Sequence, residues 1–236
     1  MMAHDRPESA AAFTELGRIK LGETDLNGVL DRVADLARRT LPGAGQVSIT
    51  LVRNRAAYTA AQTGESALRL DERQYAQDRG PSLEAAAGKT TVHVPDTATE
   101  PRWDGWGEHA AAAGIGSVLA VGLPIVENVS GALTIYGAAA GAFDEAAITL
   151  AQTFVRYAAV ALANAHLYDT TATLAQHMQA AMAGRAVIEQ AKGIIMGERR
   201  CTADEAFAIL TRVSQDSNRK LRDVAAALVE RTQQRG

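Results

Sequence analysis

Apolar and polar residues alternate along this chain with two different periods, and the switches between them mark its elements. A first helix is expected around residues 8–20. A second runs from Asp25 to Thr40, with Leu26, Val29, Leu30, Val33 and Leu36 on one stripe. Leu41-Pro42-Gly43 ends it, because proline lacks an N–H to donate and glycine permits the turn. Val47 to Leu51 then alternates with period two, as a half-buried strand does. After Arg53-Asn54-Arg55 a second strand, Ala56 to Thr63, predicts a hairpin. Helices are expected at 67–78 and 82–88, followed by a strand over Thr90–Val94 that Pro95-Asp96 stops. After the Pro101-Arg102-Trp103 turn comes a helix from Asp104 to Ala113. The apolar run Ser117–Val126 predicts a central strand, and Gly131–Ala138 its partner across Glu127-Asn128-Val129-Ser130. Five strands with helices before, between and after predict an α+β fold, an antiparallel sheet with helices on its faces.

A long helix follows. From Asp144 there is no proline or glycine until Gly184, about forty residues or roughly 60 Å of helix. Tyr157, Val160, Asn164, Leu167, Thr171, Leu174, Met178 and Ala181 recur at alternating spacings of four and three, the period of a coiled-coil seam. An inward Asn164 fixes register at some cost in stability. The seam predicts a homodimer; the competing reading is a helix packed on its own sheet.

Beyond Gly184 three short helices are expected. The first carries Val187, Ile188, Ala191, Ile194 and Ile195 inward and ends at Gly197. The second opens at Thr202-Ala203-Asp204-Glu205, a capping box, and its expected buried face is Ala206, Phe207, Leu210 and Val213. The third starts near Asn218 and turns Leu221, Val224, Ala225, Leu228 and Val229 inward. The organisation expected is an N-terminal extension (1–23), an antiparallel-sheet domain (24–168), a connecting helix (144–182) overlapping its end, and an all-α three-helix domain (174–236).

Charge sharpens this division. The net charge of −3 conceals an acidic body and a basic tail: residues 183–236 carry 10 Lys+Arg against 7 Asp+Glu. A nucleic-acid-binding output has such a balance, although a short helical segment with one basic face has it too. There is one cysteine, Cys201, which excludes an intrachain disulfide and a thiolate zinc site. The first residues, MMAHDRPESA, lack the basic patch and apolar run of a secretory signal, and no strongly apolar run of about 18 residues stands out. The expectation is a soluble, cytoplasmic protein.

Particular residues carry a family resemblance. Arg185-Ala186-Val187-Ile188-Glu189-Gln190-Ala191-Lys192-Gly193-Ile194-Ile195-Met196 resembles the opening of ANTAR domains. Ala206-Phe207 with Leu210, Ser214, Asn218, and Leu221 with Asp223-Val224-Ala225 continue the likeness. The resemblance implies binding of paired hairpins in nascent RNA, prevention of transcription termination, and a dimer. Residues 20–168 resemble a GAF domain through Gly80-Pro81-Ser82-Leu83-Glu84-Ala85, Val92-His93-Val94-Pro95-Asp96, Pro101-Arg102-Trp103, Gly114 to Val121 and Gly131 to Tyr136. That resemblance implies a sensor domain able to take a small-molecule ligand. GAF–helix–ANTAR is a familiar bacterial, especially actinobacterial, layout.

The chemistry expected of each half is limited. With no cysteine in the GAF-like half, thioether attachment of a bilin and cysteine-based methionine sulfoxide reduction are both excluded. His93 or His109 could serve as a haem axial ligand, although either histidine also reads as an ordinary structural one, and the cofactor is left unknown. Ser82, His93, Asp96, Trp103 and His109 are the candidate ligand-binding residues, and Asp96, Arg102, Trp103 and Asp104 a candidate pocket entrance; Asp96 equally reads as a turn cap and Trp103 as packing. No metal site and no catalytic arrangement is expected: Ser/His/Asp, HExxH, P-loop and GxGxxG patterns are missing, so the chain does not read as an enzyme. The candidate RNA contacts are Arg185, Lys192, Arg199, Arg200, Arg219, Lys220 and Arg222, with Lys192 foremost through the resemblance. The dimer seam is assigned to Val160, Asn164, Leu167, Leu174 and Met178. Cys201 reads as an incidental thiol or a redox-sensitive one. The alternative function is a ligand or haem sensor whose C-terminal helices bind DNA or a protein partner.

Overall fold

A computed structural model describes residues 5–19, 24–126 and 129–234. Their contacts divide the chain into two compact units, Met1–Asp169 and Thr170–Gly236. The first holds α1 (Asp5–Gly17), α2 (Leu26–Thr40), β1 (Gln46–Arg53), β2 (Ala56–Gln62), α3 (Glu65–Gln77) and α4 (Pro81–Gly88). Then come β3 (Thr91–Val94), α5 (Trp106–Ala112), β4 (Ser117–Val126), β5 (Val129–Gly137) and the opening of α6 (Glu145–Arg199). The sheet order is β2-β1-β5-β4-β3, and every neighbouring pair is antiparallel. The fold is the α+β arrangement that the alternating strand pattern predicts. The expected turn residues Glu127 and Asn128 lie outside the described residues.

Because strand side chains alternate between faces, the two faces of this sheet carry different chemistry. Val47, Ile49, Leu51, Leu119, Val121, Leu123, Leu133 and Ile135 point to one side. There they form an apolar core with α1, α2 and the start of α6, which contributes Ala151, Phe154, Val155, Ala158 and Leu162. The opposite face packs against α3, α4 and α5 and mixes Val118, Ala120 and Ala132 with buried Ser48, Thr50, Thr134 and Tyr136. Helix α2 is fixed at its start by Asp25, whose carboxylate accepts the Gly28 N–H.

On that second face Gly122 sets how near α4 can come. A Cβ added there would lie 2.6 Å from the Ala85 carbonyl oxygen and 2.7 Å from the Lys89 Cα, both backbone atoms. Only a residue without a side chain lets the helix rest on β4.

The second unit contains the rest of α6, α7 (Ala203–Asp216) and α8 (Leu221–Gln233). The sequence pattern placed a break at Gly184 and a stop at Gly197, but α6 runs 55 residues without interruption. Mid-helix glycine costs only about 1 kcal/mol relative to alanine. That is less than the packing of Ala191 and Ile195 against Ala206, Leu210, Val224 and Ala225 supplies. The helix ends instead at Arg200, which takes the left-handed conformation with φ 53° and donates its N–H to the Met196 carbonyl. The Thr202–Glu205 capping box opens α7 as expected.

A second correction concerns the face of α7. Phe207 and Val213, expected inside, are 44% and 46% exposed. Ala206 and Leu210 are buried and Ile209 half-buried, so the contact stripe is rotated away from the Phe207 edge. Helices α6 and α8 cover only a narrow stripe of α7, and apolar residues on its flank stay outside.

An 18-residue window of α6 is apolar enough by composition to cross a membrane, which the sequence reading did not single out. Of that window 39% is buried within the chain. Alanine-rich composition explains both properties, since a helix laid on a sheet at close range needs small residues.

Two glycine substitutions test this description. Gly122→Ala should destabilise the first unit by about 1–3 kcal/mol through overpacking against α4. Gly197→Ala, where an added Cβ meets nothing within 4 Å, should stabilise the second unit by about 1 kcal/mol. Urea unfolding measures both; loss of stability in Gly197→Ala would mean the helix ends there.

Candidate functional site

In the second unit the seven candidate basic residues do not form one patch. Arg199 and Arg200 stand at the end of α6, and Arg219, Lys220 and Arg222 stand where α7 turns into α8. Arg222 comes back beside Gly184, where an added Cβ would lie 3.8 Å from its side chain, and so next in sequence to exposed Arg185. Gly184 and Arg199 are fifteen residues apart on one helix, about 22 Å. Two basic groups therefore lie toward the two ends of this core.

Lys192 lies between them along α6. Its ammonium donates to both Glu189 carboxylate oxygens at 3.0 and 3.1 Å, and its side chain is only 18% exposed. An i,i+3 pair of this kind on a helix contributes a few tenths of a kcal/mol, which another anion can match. The α7–α8 turn is tied internally: Ser214 Oγ donates to the Arg219 carbonyl at 2.6 Å and Arg219 N–H donates to the Ser214 carbonyl at 3.1 Å. Asn218, with φ 50°, makes the left-handed step that this turn needs. Phe207, near the start of α7, is exposed, and its apolar spacing disguised it as core.

The first unit holds a buried polar cluster between α3, α4 and the sheet. At its centre Asp71 Oδ1 accepts from the Tyr136 hydroxyl at 2.5 Å, Ser82 Oγ at 3.3 Å and Gln74 Nε2 at 3.3 Å. Its Oδ2 accepts from Thr59 at 3.0 Å. Ser82 also bonds Thr134 at 2.9 Å, and Tyr75 bonds both Thr50 and Thr59 at 2.9 Å. Burial pushes the Asp71 carboxyl up to about 6, against the opposing pull of Tyr136, Ser48, Thr59 and Ser82. Burial and the nearby Asp71 charge raise the Tyr136 phenol well above its ordinary value. No alternating pattern announced Asp71, Gln74, Thr134 or Tyr136 as a cluster, because their contacts join residues up to 65 positions apart.

Outside this cluster a cleft of about 550 Å³ opens at the hairpin end of the sheet. Val52 and Arg55 reach it from the β1–β2 hairpin, Ser130 from β5, and Leu83, Glu84 and Ala87 from α4. Asp78, Arg79 and Gly80 come from the α3–α4 turn, and Arg102 and Trp103 close it. The Arg102 guanidinium lies 4.4 Å over the Trp103 ring, and Trp103 meets Trp106 edge-on at 5.6 Å. Glu100 holds Arg102 through Nε at 2.8 Å and Nη2 at 2.6 Å, which lowers the Glu100 carboxyl and raises the guanidinium.

Of the five candidate ligand residues, Trp103 lines this cleft and Ser82 sits in the buried cluster. His93 is on β3, and burial, followed by the Arg102 charge, lowers its imidazole. Asp96 accepts the Ala98 N–H at 3.0 Å at a turn, and His109 Nδ1 contacts the Gly105 carbonyl on α5. The five do not converge on one point. No cluster of three or more His, Cys, Asp or Glu that could hold a metal occurs among the described residues.

A family model for the GAF domain matches residues 23–163, and one for the ANTAR domain matches residues 176–229. No curated protein matches the chain. Among solved structures, the phycoerythrobilin-bound GAF domain of a cyanobacterial phytochrome superposes with a TM-score of 0.52 at 16% identity, covering 68% of this chain and 97% of that one. The free methionine-R-sulfoxide reductase of Neisseria meningitidis, in complex with its substrate, gives 0.51 at 18% identity, with 71% and 90% covered. The GAF domain of a phosphoenolpyruvate-protein phosphotransferase from Coxiella burnetii gives 0.50 at 17%, with 70% and 98% covered. At these identities the likeness is one of fold.

The Asp71 carboxyl makes stability depend on pH. Its folded value near 6 exceeds the ordinary 3.8, so between them the folded state holds a proton the unfolded chain releases. This contribution is full below pH ~4 and lost as pH rises through ~6, a difference on the order of 2–3 kcal/mol. Urea unfolding at pH 4 and pH 7 checks it. Relative to Asp71→Asn, the unsubstituted chain should lose stability at the higher pH; an equal difference at both would contradict the assignment.

Proposed function

We propose that this chain, which belongs to the GAF-domain family and carries an ANTAR domain after it, is a signal-responsive transcription antitermination regulator. In this reading it acts in the cytoplasm as a homodimer that binds paired hairpins of nascent RNA. GAF followed by ANTAR is a regulatory architecture, a sensory domain joined to an RNA-binding one. The observation that carries the reading is the ANTAR match over residues 176–229, on a helical core with basic groups toward its two ends.

The polar surface suits hairpin RNA. Loops of hairpins offer splayed bases, while the stem offers phosphates on either side. Arg199 and Arg200 at one end and Arg185, Arg219, Lys220 and Arg222 at the other supply donors for phosphate, and Lys192 can exchange Glu189 for the same purpose. Exposed Phe207 adds a flat apolar face of the kind on which an unpaired base stacks.

The seam on α6 supports the homodimer. Tyr157, Val160, Leu167, Leu174 and Met178 are exposed, with Asn164 and Thr171 at the intervening positions. The residues that pack on the sheet are others: Ala151, Phe154, Val155, Ala158 and Leu162. A second copy of α6 laid along the seam would bury it and bring two ANTAR domains to one RNA. The second hairpin then binds at high effective concentration, which supplies affinity without new contacts. A signal at the GAF domain acts by changing how the two α6 helices pair.

Binding to a two-hairpin RNA and to its single-hairpin version, at two salt concentrations, tests the reading. Clear preference for the paired RNA is expected, with Lys192→Ala weakening both and lowering the salt slope by about one. Leu174→Glu should give a monomer that binds single hairpins normally and has lost the preference. Equal binding of both RNAs by the dimer, or duplex DNA competing as well as RNA, would overturn it.

A further inference from the structure

We infer that the cleft beside Trp103 is a recognition site for a small organic carboxylate with an apolar portion, held by Arg102 and Arg55. The inference rests on the first unit being a sensory domain and names the class of ligand it senses.

The buried space between the sheet and α3–α4 is already occupied: Asp71, Gln74, Ser82, Thr134 and Tyr136 fill it with their own hydrogen bonds. A ligand there would have to break these bonds. The cleft at the hairpin end is open and, at about 550 Å³, has the size of a small-molecule site.

Arg102 is built to be still. Glu100, whose side chain is 5% exposed, takes Nε–H and one Nη2–H, and the His93 carbonyl takes the other Nη2–H at 2.9 Å. The Trp103 ring supports the plane from one side. Among the described residues the two Nη1 donors have no hydrogen-bond partner. A guanidinium held in this way loses little freedom when it accepts a further anion.

Arg55 is placed at a conformational cost. Asn54 and Arg55 form a two-residue hairpin loop, paired across Arg53 and Ala56, with φ values of 52° and 64°. Such a loop favours Asn followed by Gly, since glycine alone takes the left-handed region freely. An arginine in the glycine position is strain kept at the mouth of a cleft, where strain accompanies function. Val52, Leu83 and Ala87 line the cleft with apolar surface.

The surrounding charges narrow the ligand class. Asp78 and Glu84 line the cleft, and Glu100 and Asp104 pair with its arginines. Against Arg55, Arg79 and Arg102 these four carboxylates leave one net negative charge, too little positive field to hold the several charges of a polyphosphate. One carboxylate on a guanidinium edge needs only two aligned donors.

The chain carries its own reporter, since both of its tryptophans, Trp103 and Trp106, are at this place. Full-length protein is titrated with benzoate, phenylacetate and indole-3-acetate, with benzamide as neutral counterpart and ATP as polyanion, following tryptophan fluorescence and heat of binding. At least one carboxylate should saturate and bind at least tenfold more tightly than benzamide and ATP. Arg55→Gly should weaken it at least tenfold while raising the melting temperature by about 2–4 °C, opposite signs that a merely structural role cannot produce. Arg102→Gln should weaken it as well. No saturable response to any of the three carboxylates, equal binding of benzamide, tighter binding of ATP, or unchanged affinity in Arg55→Gly would overturn the inference. RNA binding measured on the same samples keeps the two readings apart, because failure in the cleft leaves hairpin preference untouched.

Discussion

The backbone hydrogen-bond ladder of α6 is the constraint on which the rest depends. One helix of 55 residues supplies Ala151, Phe154 and Leu162 to the core of the first unit and Ala191 and Ile195 to that of the second. Neither core closes without it. Three helices in about sixty residues bury little apolar surface by themselves, so a small domain of this kind gains from a helix already nucleated elsewhere. Along α6 the seam residues Val160, Leu167, Leu174 and Met178 stay exposed.

The sensory half is organised around a different compromise. A carboxylate at Asp71 is buried with four hydrogen-bond donors, and burial still outweighs them. A buried polar group whose hydrogen bonds are made adds rigidity and a defined geometry more than net stability. It fixes α3 and α4 against β1, β2 and β5 through Tyr136, Ser82 and Thr59. That filled interior also explains why the open recognition surface is at the hairpin end of the sheet.

Much of this was legible in the residues. Strand alternation gave the sheet, Asp25 and Thr202 marked helix starts, and the period of Val160, Leu167, Leu174 and Met178 picked out exposed residues distinct from those that pack on the sheet. What was missed has common physical causes. Gly184 and Gly197 looked like breaks because local propensity weighs against glycine, yet tertiary packing of Ala191 and Ile195 overrides it. Phe207 looked buried because periodicity fixes a face only to within about one residue, and two partner helices cover only part of the apolar arc of α7. Arg102 and Trp103 of the cleft and Ser82 of the Asp71 cluster were picked out as single residues, but their partners were not, since each site gathers residues from several elements. Glu100, which positions Arg102, gave no signal beyond its nearness in sequence.

The central proposal is that the phase of the α6 seam sets how two ANTAR domains meet one RNA. Insertions between Asp169 and Thr170 test it most directly, read as affinity for a two-hairpin RNA relative to a single hairpin. Seven helical residues restore the phase of the seam, whereas two rotate everything beyond them by about 200°. The account predicts that the seven-residue insertion keeps the preference and the two-residue insertion abolishes it, with single-hairpin binding unchanged in both. Equal preference in the two variants would contradict it, and α6 would then be only a tether.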